Sequence, residues 1–441
     1  MKFIVFLFSF IWIVSAQAQV TLSACLEASR NHSVQRKVAQ QAYTESSLTT
    51  EQKRLYKKIQ VGSSYEYRFN PIIPAQLVPV GQFNPIPTSE TRAIQFGAPF
   101  QQSLGISAFQ PLIQVQDKLA VQESEWKEAS ARFDLLQSQS DQDWEVVRTY
   151  AQLQFVQAQQ KEAVQDTLRS FLSFQTVQAR FKEGKVLKTD WNQSVLQHRA
   201  NLLAWQKLGA AIRSEQIYLA YLTGWDWEDL RDQTLSTSFE WNALSPTILP
   251  ADSLISYQKL GIEEELIQLS RQKDKALWVP SVGLQGYLGA NQFSQTGNPF
   301  LANSWFGNSF IGLQVQIPLQ AFGKNELKEK KWRVQQDLIQ SKKQILIQDQ
   351  QRDFQKVQNE LSRIQAEMNW QTENLHLWTE NVQIYQKRLS EGQVTPKDLI
   401  LAETELQKNR DRLITLRQEW FLTWIQFNRL YGKLDQVMLK N

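Results

Sequence analysis

Residues 112–183 read LIQVQDKLAVQESEWKEASARFDLLQSQSDQDWEVVRTYAQLQFVQAQQKEAVQDTLRSFLSFQTVQARFKE, 72 residues without one Gly or Pro. Residues 324–391 form a second run of the same kind, 68 residues long. Globular helices average about three turns, and an interior Pro costs about 3 kcal/mol. Each run therefore predicts one continuous helix. At 1.5 Å per residue each spans roughly 100 Å, about three times the ~30 Å hydrocarbon core of a bilayer. A compact domain has no use for such a rod. Apolar residues recur at helical spacing, as in Trp144, Val147, Ala151, Phe155 and Ala158, with Gln, Glu, Ser and Asp between them. A long, half-polar helix cannot bury its stripe alone and needs neighbouring helices.

Working outward, the first rod stops at Gly184 and a short turn leads to Thr189-Asp190, a helix start. A return helix over 189–223 closes at Gly224. Upstream, Thr21–Arg30 and Ser33–Lys58 read as helices broken around Asn31-His32. The period then changes to two, with strands predicted over 61–70 and 103–110. Between them lies a Pro-rich loop with Pro71, Pro74, Pro79, Pro85, Pro87 and Pro99. The second strand ends at Gln110-Pro111-Leu112, where the rod begins.

After a connector at 225–252 the series recurs. A helix over 254–277 stops at Trp278-Val279-Pro280, and strands are predicted at 281–289 and 310–317 around a Gly/Asn/Ser/Pro loop (291–308). The rod 324–391 and a return helix 397–431 follow. Gly105, Pro111 and Leu112 stand 207 positions before Gly312, Pro318 and Leu319; Arg180, Glu183, Gly184, Val186, Asp190, Leu222 and Gly224 stand 208 before Arg388, Glu391, Gly392, Val394, Asp398, Leu430 and Gly432. A near-constant offset over more than a hundred residues marks a duplication: a first structural repeat at 19–224 and a second at 253–441.

The first eighteen residues are set apart. Lys2, an apolar core from Phe3 to Val14 and an Ala16-Gln17-Ala18 cleavage site make a signal peptide over 1–18 and predict export. The formal charge of +4 falls to about +3 without Lys2, and no dense basic patch points to nucleic acid. One cysteine, Cys25, rules out an internal disulfide framework. Leu22-Ser23-Ala24-Cys25 fits a short lipobox, although Ala16 to Thr21 separate it from the apolar core; the alternative is a small apolar residue on an amphipathic helix.

The strands decide the setting. Tyr65, Tyr67 and Phe69 point one way, and Ser64, Glu66 and Arg68 the other; Ile311, Leu313, Val315 and Ile317 oppose Gly312, Gln314 and Gln316. Such alternation is the signature of an outer-membrane barrel, or alternatively of a soluble sheet with one face on a core. Four strands cannot close, and open edges are not tolerated in lipid. Three chains giving twelve strands is the natural solution, although eight strands from two chains also satisfies the arithmetic. The rods leave on the side of both chain termini, which must be periplasmic.

At this point the chain resembles the TolC-like outer-membrane efflux proteins over essentially its whole mature length. The paired endings Gln110-Pro111-Leu112 and Ile317-Pro318-Leu319, the strand entry Trp278-Val279-Pro280, and the tips Arg180-Phe181-Lys182-Glu183-Gly184-Lys185-Val186 and Arg388-Leu389-Ser390-Glu391-Gly392-Gln393-Val394 carry the resemblance. It implies a mainly α protein with a transmembrane β-barrel: a homotrimer with a 12-stranded barrel over a long periplasmic α-helical barrel. Implied partners are a periplasmic adaptor (membrane fusion) protein, an inner-membrane pump of RND or ABC type, and outer-membrane lipid. The resemblance makes Gly184, Lys185, Val186 and Leu187, with Gly392, Gln393, Val394 and Thr395, the expected adaptor-docking tips; a bare helix-reversing turn would also need Gly. Asp398-Leu399-Ile400-Leu401-Ala402 is similar to the family stretch bearing constriction aspartates, with Leu401 in place of the second acid. Asp190 and Asp398 are thus the expected periplasmic gate, up to six carboxylates in a trimer, or else plain helix caps. Asn31-His32-Ser33 departs from a common Asn-Pro break.

No catalytic signature is present. His32, His198 and His376 are scattered, without metal-ligand spacing, and no Gly-rich phosphate loop occurs. The expected function is the outer-membrane conduit of a tripartite efflux or type I secretion system, with no enzyme activity and no cofactor. The alternative is a periplasmic or surface coiled-coil scaffold or adaptor without a channel.

Overall fold

The computed structural model describes residues 20–73, 75–79, 89, 91–95, 97–231, 235, 249–300, 305–317 and 325–431. The signal peptide, Pro74, Pro85 and Pro87, most of the connector, the Pro318-Leu319 ending and Gly432 lie outside the described residues.

The chain forms two compact units, and they do not follow the repeats. One unit gathers the described residues of 20–42, 132–260 and 341–431; the other gathers those of 43–131 and 261–340. Each repeat contributes to both. The long helices α3 (Val115–Lys182) and α7 (Asn325–Ser390) run unbroken as 68 and 66 residues.

In the first unit, α1 (Leu22–His32) is followed by the start of α2 (Val34–Arg54), and the first return helix is α4 (Lys188–Thr223). A short α5 (Trp227–Arg231) lies in the connector. The second repeat adds the start of α6 (Ile255–Ala276), the lower part of α7, and the return helix α8 (Pro396–Tyr431). The break between α1 and α2 falls at Ser33, later than Asn31-His32, because the Ser33 hydroxyl accepts from the Arg36 N–H at 3.4 Å and so starts α2. The apolar stripe of α3 finds its neighbours here. Trp144, Tyr150 and Leu153 are buried with Leu219 of α4, Ile364 of α7, and Leu416, Phe421 and Trp424 of α8. Trp144 and Trp424 meet edge to face at 6.0 Å between ring centroids. Helix α1 closes one side, its Cys25 wholly buried in the cluster, where burial pushes the thiol up to about 12. Cys25 thus packs as a small apolar side chain. Gly224 caps α4 with φ +73°, and a Cβ there would stand 2.6 Å from His32 Cβ.

In the second unit, β1 (Gln60–Phe69), β4 (Phe100–Ile113), β5 (Ser281–Ser294) and β6 (Trp305–Gln316) form an antiparallel sheet in the order β1-β4-β5-β6. Part of the Pro-rich loop forms a separate hairpin, β2 (Ala75–Val78) with β3 (Arg92–Gln95). The register puts Val61, Tyr65, Leu104, Ile106, Leu288, Ile311 and Leu313 on one face. Gln60, Ser64, Gln101, Ser103, Gln285, Asn291 and Gln314 lie on the other. The apolar face is bare: Ile311 is 82% exposed and Leu288 69%. Both edge strands lack a second neighbour among the described residues.

Three boundaries differ from expectation. Strand β4 continues through Pro111 and Leu112, and α3 starts at Val115. Strand β1 pairs only as far as Phe109, so a missing N–H at Pro111 costs no bond to it. Strands β5 and β6 extend into the expected 291–308 loop. The polar residues there are satisfied from outside the ladder: buried Gln102 and Gln292 donate to the carbonyls of Gly297 (3.1 Å) and Asn298 (3.0 Å). Finally, α8 starts at Pro396, a favoured first helical residue, and α4 at Lys188.

Candidate functional site

Four helices end at the two reversing turns, and the turns are built alike. At the first, the Gly184 N–H donates to the Phe181 carbonyl (3.0 Å) and the Lys185 N–H to that of Arg180 (2.9 Å). At the second, Gly392 donates to Leu389 (3.0 Å) and Gln393 to Arg388 (2.9 Å). This is the Schellman arrangement, which needs a left-handed residue after the helix. Gly184 and Gly392 supply it with φ +70° and +75°. Nothing lies within 4 Å of a Cβ at either, so backbone angle alone selects glycine.

Each turn is locked differently. At the first, Phe181 stacks on Trp191 at 5.4 Å, joining α3 to α4. At the second, Leu389, Leu399, Ala402 and Leu406 form a small buried cluster with Val394 against it. Among the described residues one hydrogen bond joins the turns: Arg180 Nη2 donates to the Leu389 carbonyl at 2.6 Å. Its positive charge lies at the negative end of α7.

All ten expected site residues fall in these two turns or the first turn of the helix that follows. Most line one open groove of about 760 Å³ together with Arg180, Glu183 and Glu391. Four acids (Glu183, Asp190, Glu391, Asp398) face two bases (Arg180, Lys185) there. Leu187 is 70% exposed. Lys185 pairs with Glu183 at 3.0 Å in solvent, a contact of little strength.

The two aspartates are not equivalent. Asp398 accepts from the Thr395 N–H at 2.9 Å and the Thr395 hydroxyl at 2.7 Å, bonds that hold its carboxyl below the usual range. It therefore makes the carboxylate half of a capping box on α8, satisfying the Thr395 N–H at the helix start. In the first turn the residue at the cap is Leu187, which offers no side-chain acceptor. The Asp190 carboxylate makes no hydrogen bond or ion pair among the described residues.

Sequence reasoning missed a buried acidic group on α3 and α8. Burial pushes Glu403 up to about 7, against a hydrogen bond from Gln386. Burial and the nearby Asp166 and Glu162 push Asp411 up to about 6. Asp166 is itself raised by burial, opposed by its ion pair with Arg169, and Arg410 pairs with Glu162 at 3.3 Å. The i, i+3 spacing of Asp166 and Arg169 was the one signal on offer. His198, in contrast, is a packing residue between Phe171 and Phe174, with Nδ1 3.2 Å from the Ser170 hydroxyl. Among the described residues no group of three His, Cys, Asp or Glu is placed to hold a metal ion. No described helix is long and apolar enough to cross a membrane.

Residues 263–433 match the family model described as outer membrane efflux protein. The fold is similar to that of the outer membrane protein VceC of Vibrio cholerae, with a TM-score of 0.70 at 15% identity, over 93% of this chain and 96% of that one. It is also similar to the outer-membrane channel CmeC of Campylobacter jejuni (0.71, 12% identity, 93% and 85% covered). The open-state outer membrane channel MtrE of Neisseria gonorrhoeae gives 0.66 at 10% identity, with 93% and 88% covered. No curated protein matches the chain by sequence.

Proposed function

We infer that this chain, which has the fold of the TolC-like outer-membrane efflux channels and bears the family signature over residues 263–433, is the exit duct of a tripartite export system. The observation that carries this reading is the four-stranded sheet. Its apolar face is exposed, its other face carries most of its polar residues, and both edge strands lack a second neighbour among the described residues. In water that face would be an aggregation liability; in lipid it is the required outer surface, provided other copies close the edges. Three copies give twelve strands, within the range of known barrels. The strands then cross the outer membrane and the long helices lie on the periplasmic side.

The turns are the second part of the proposal. A periplasmic adaptor, itself carrying an inner-membrane pump, docks at Gly184–Leu187 and Gly392–Thr395, where exposed Leu187 offers an apolar contact. Asp190 is the better gate carboxylate, since Asp398 is committed to its helix cap. A ring of uncapped carboxylates at a constriction favours cations. Acting as a conduit, the chain needs no catalytic group or cofactor.

Fractionation tests this directly. The full-length protein should be recovered with the outer membrane, stay in solution only with detergent, and show the native mass of three copies. A detergent-independent monomer would instead support the scaffold reading.

A further inference from the structure

We infer that a second groove, between α3, α7 and α8, is a binding site for a small carboxylate with an apolar body, held by the guanidiniums of Arg169 and Arg180 and the hydroxyl of Ser173. It is a property of the single chain and does not rest on the duct reading.

Along α3, Arg169, Ser173, Thr176 and Arg180 are spaced i, i+4, i+7 and i+11, which puts them on one face of the helix. That face is one wall of a groove of about 380 Å³, within the range of small-molecule sites. The other wall comes from the second repeat, with Gln386 and Leu389 of α7 and Leu399 and Glu403 of α8. A ligand seated here touches both repeats.

The hydroxyl of Ser173 is the first sign of a missing partner. Ser and Thr within helices commonly donate to a carbonyl one turn earlier. Ser170 does so to Thr167 and Thr176 to Leu172, each at 3.0 Å. Ser173 Oγ is buried and has no hydrogen-bond partner among the described residues. Such an orphan is costly and uncommon in a native fold, and a ligand oxygen would satisfy it. The arginines are also incompletely used. Arg169 gives one Nη2 donor to the Asp166 carboxylate, and Arg180 gives one to the Leu389 carbonyl. The rest of each planar donor set has no partner among the described residues, and that fork matches a carboxylate. The groove's own carboxyl does not compete. Burial holds Glu403 un-ionised up to about 7, with Arg169 and Asp166 of α3 and Gln386 of α7 facing it. Below that pH the side chains lining the groove include two cations and no ionised carboxylate. Leu389 and Leu399, with exposed Leu172, supply the apolar contact that a bare inorganic anion would not use.

Calorimetric titration of the full-length protein in a neutral detergent with benzoate tests this, with benzamide as the uncharged isostere and protein-free micelles as the blank. At about pH 6 benzoate should bind at least about tenfold more tightly than benzamide, the order expected of charge-assisted bonds to arginine. Arg169→Gln and Arg180→Gln should each weaken benzoate by about tenfold and leave benzamide unchanged. Arg180→Lys, which keeps the charge without the fork, should retain part of the affinity. Ser173→Ala removes an unpartnered group, so it should fold as the parent does and still weaken benzoate several-fold. Raising the pH through 7 ionises Glu403 and should weaken binding in the parent but not in Glu403→Gln. No saturable binding of benzoate, equal affinity for benzoate and benzamide, or a benzoate affinity shared by the parent and both Gln variants of the arginines overturns the site. Each of those results leaves the duct reading standing.

Discussion

The glycines of the turns and the glycine within α6 make a matched contrast at the level of single residues. Gly184 and Gly392 adopt positive φ in open space, whereas Gly261 lies inside α6, also in open space, with ordinary helical geometry. Ala at either turn should cost about 1–2 kcal/mol through left-handed strain, while Gly261→Ala should stabilise by about 0.5–1 kcal/mol. Denaturant unfolding followed by helical circular dichroism measures both; equal effects at all three sites would refute the turn assignment. The aspartates separate in the same way. Asp398→Ala should lose about 1 kcal/mol with its cap. Asp190→Asn should change stability by less than about 0.5 kcal/mol yet lower cation selectivity in bilayer recordings. If selectivity is unchanged, Asp190 is not the gate. Two carboxyls predict opposite pH trends. Glu403, raised to about 7 by burial, is neutral in the fold while the unfolded chain ionises, so its contribution is full below about 4.5 and is lost as pH rises through 7. Glu123, lowered to about 2 by hydrogen bonds from Lys127 and Lys273, contributes above about 4.5 and loses it as pH falls toward 2, weakly because solvent screens it. Melting curves of Glu403→Gln should lack the decline between pH 5 and 7 that the parent shows.

Among the elements, the sheet is held on its polar face by aromatic rings lying over glycines. Gly105 pairs with Gly289, and a Cβ at either would meet Tyr287 at 2.3 and 2.5 Å; Phe109 covers Gly283 in the same way. Tyr287 also stacks on Phe310 at 5.8 Å. Tyr287→Ala should therefore destabilise the sheet by about 1–2 kcal/mol and be partly rescued by Gly105→Ala. Heat-modifiable migration on a semi-native gel would show it as a lower transition temperature; no shift would mean the ring adds nothing. The helices and strands were legible because Gly and Pro punctuate them and their periods are unambiguous. The strand ends were not, because Gln102 and Gln292 look like loop residues until the carbonyls of Gly297 and Asn298 are seen to accept from them. The turns were legible as paired Gly motifs. What separated Asp398 from Asp190 was a neighbour: Thr395 offers its N–H and hydroxyl to the Asp398 carboxylate, and Leu187 has no hydroxyl to offer. The Arg180 bond was hidden because its acceptor is a main-chain carbonyl 209 residues away.

For the whole molecule, the repeats and the compact units divide the chain differently. Each repeat supplies its strands to one unit and most of its helical residues to the other. The Trp144–Trp424 contact joins the two repeats in the helical unit, and truncating Trp424 should cost about 3–5 kcal/mol. The sheet, by contrast, has two edges and an apolar face that no other described residues cover. The central claim is that copies of this chain close that sheet into a pore through lipid. Purified full-length protein added to a planar lipid bilayer tests it most directly. Discrete, cation-favouring conductance steps are expected, small in the parent and larger when Arg180→Ala releases the turns. Membrane-associated protein that gives no conductance step, in the parent or in that variant, would contradict it.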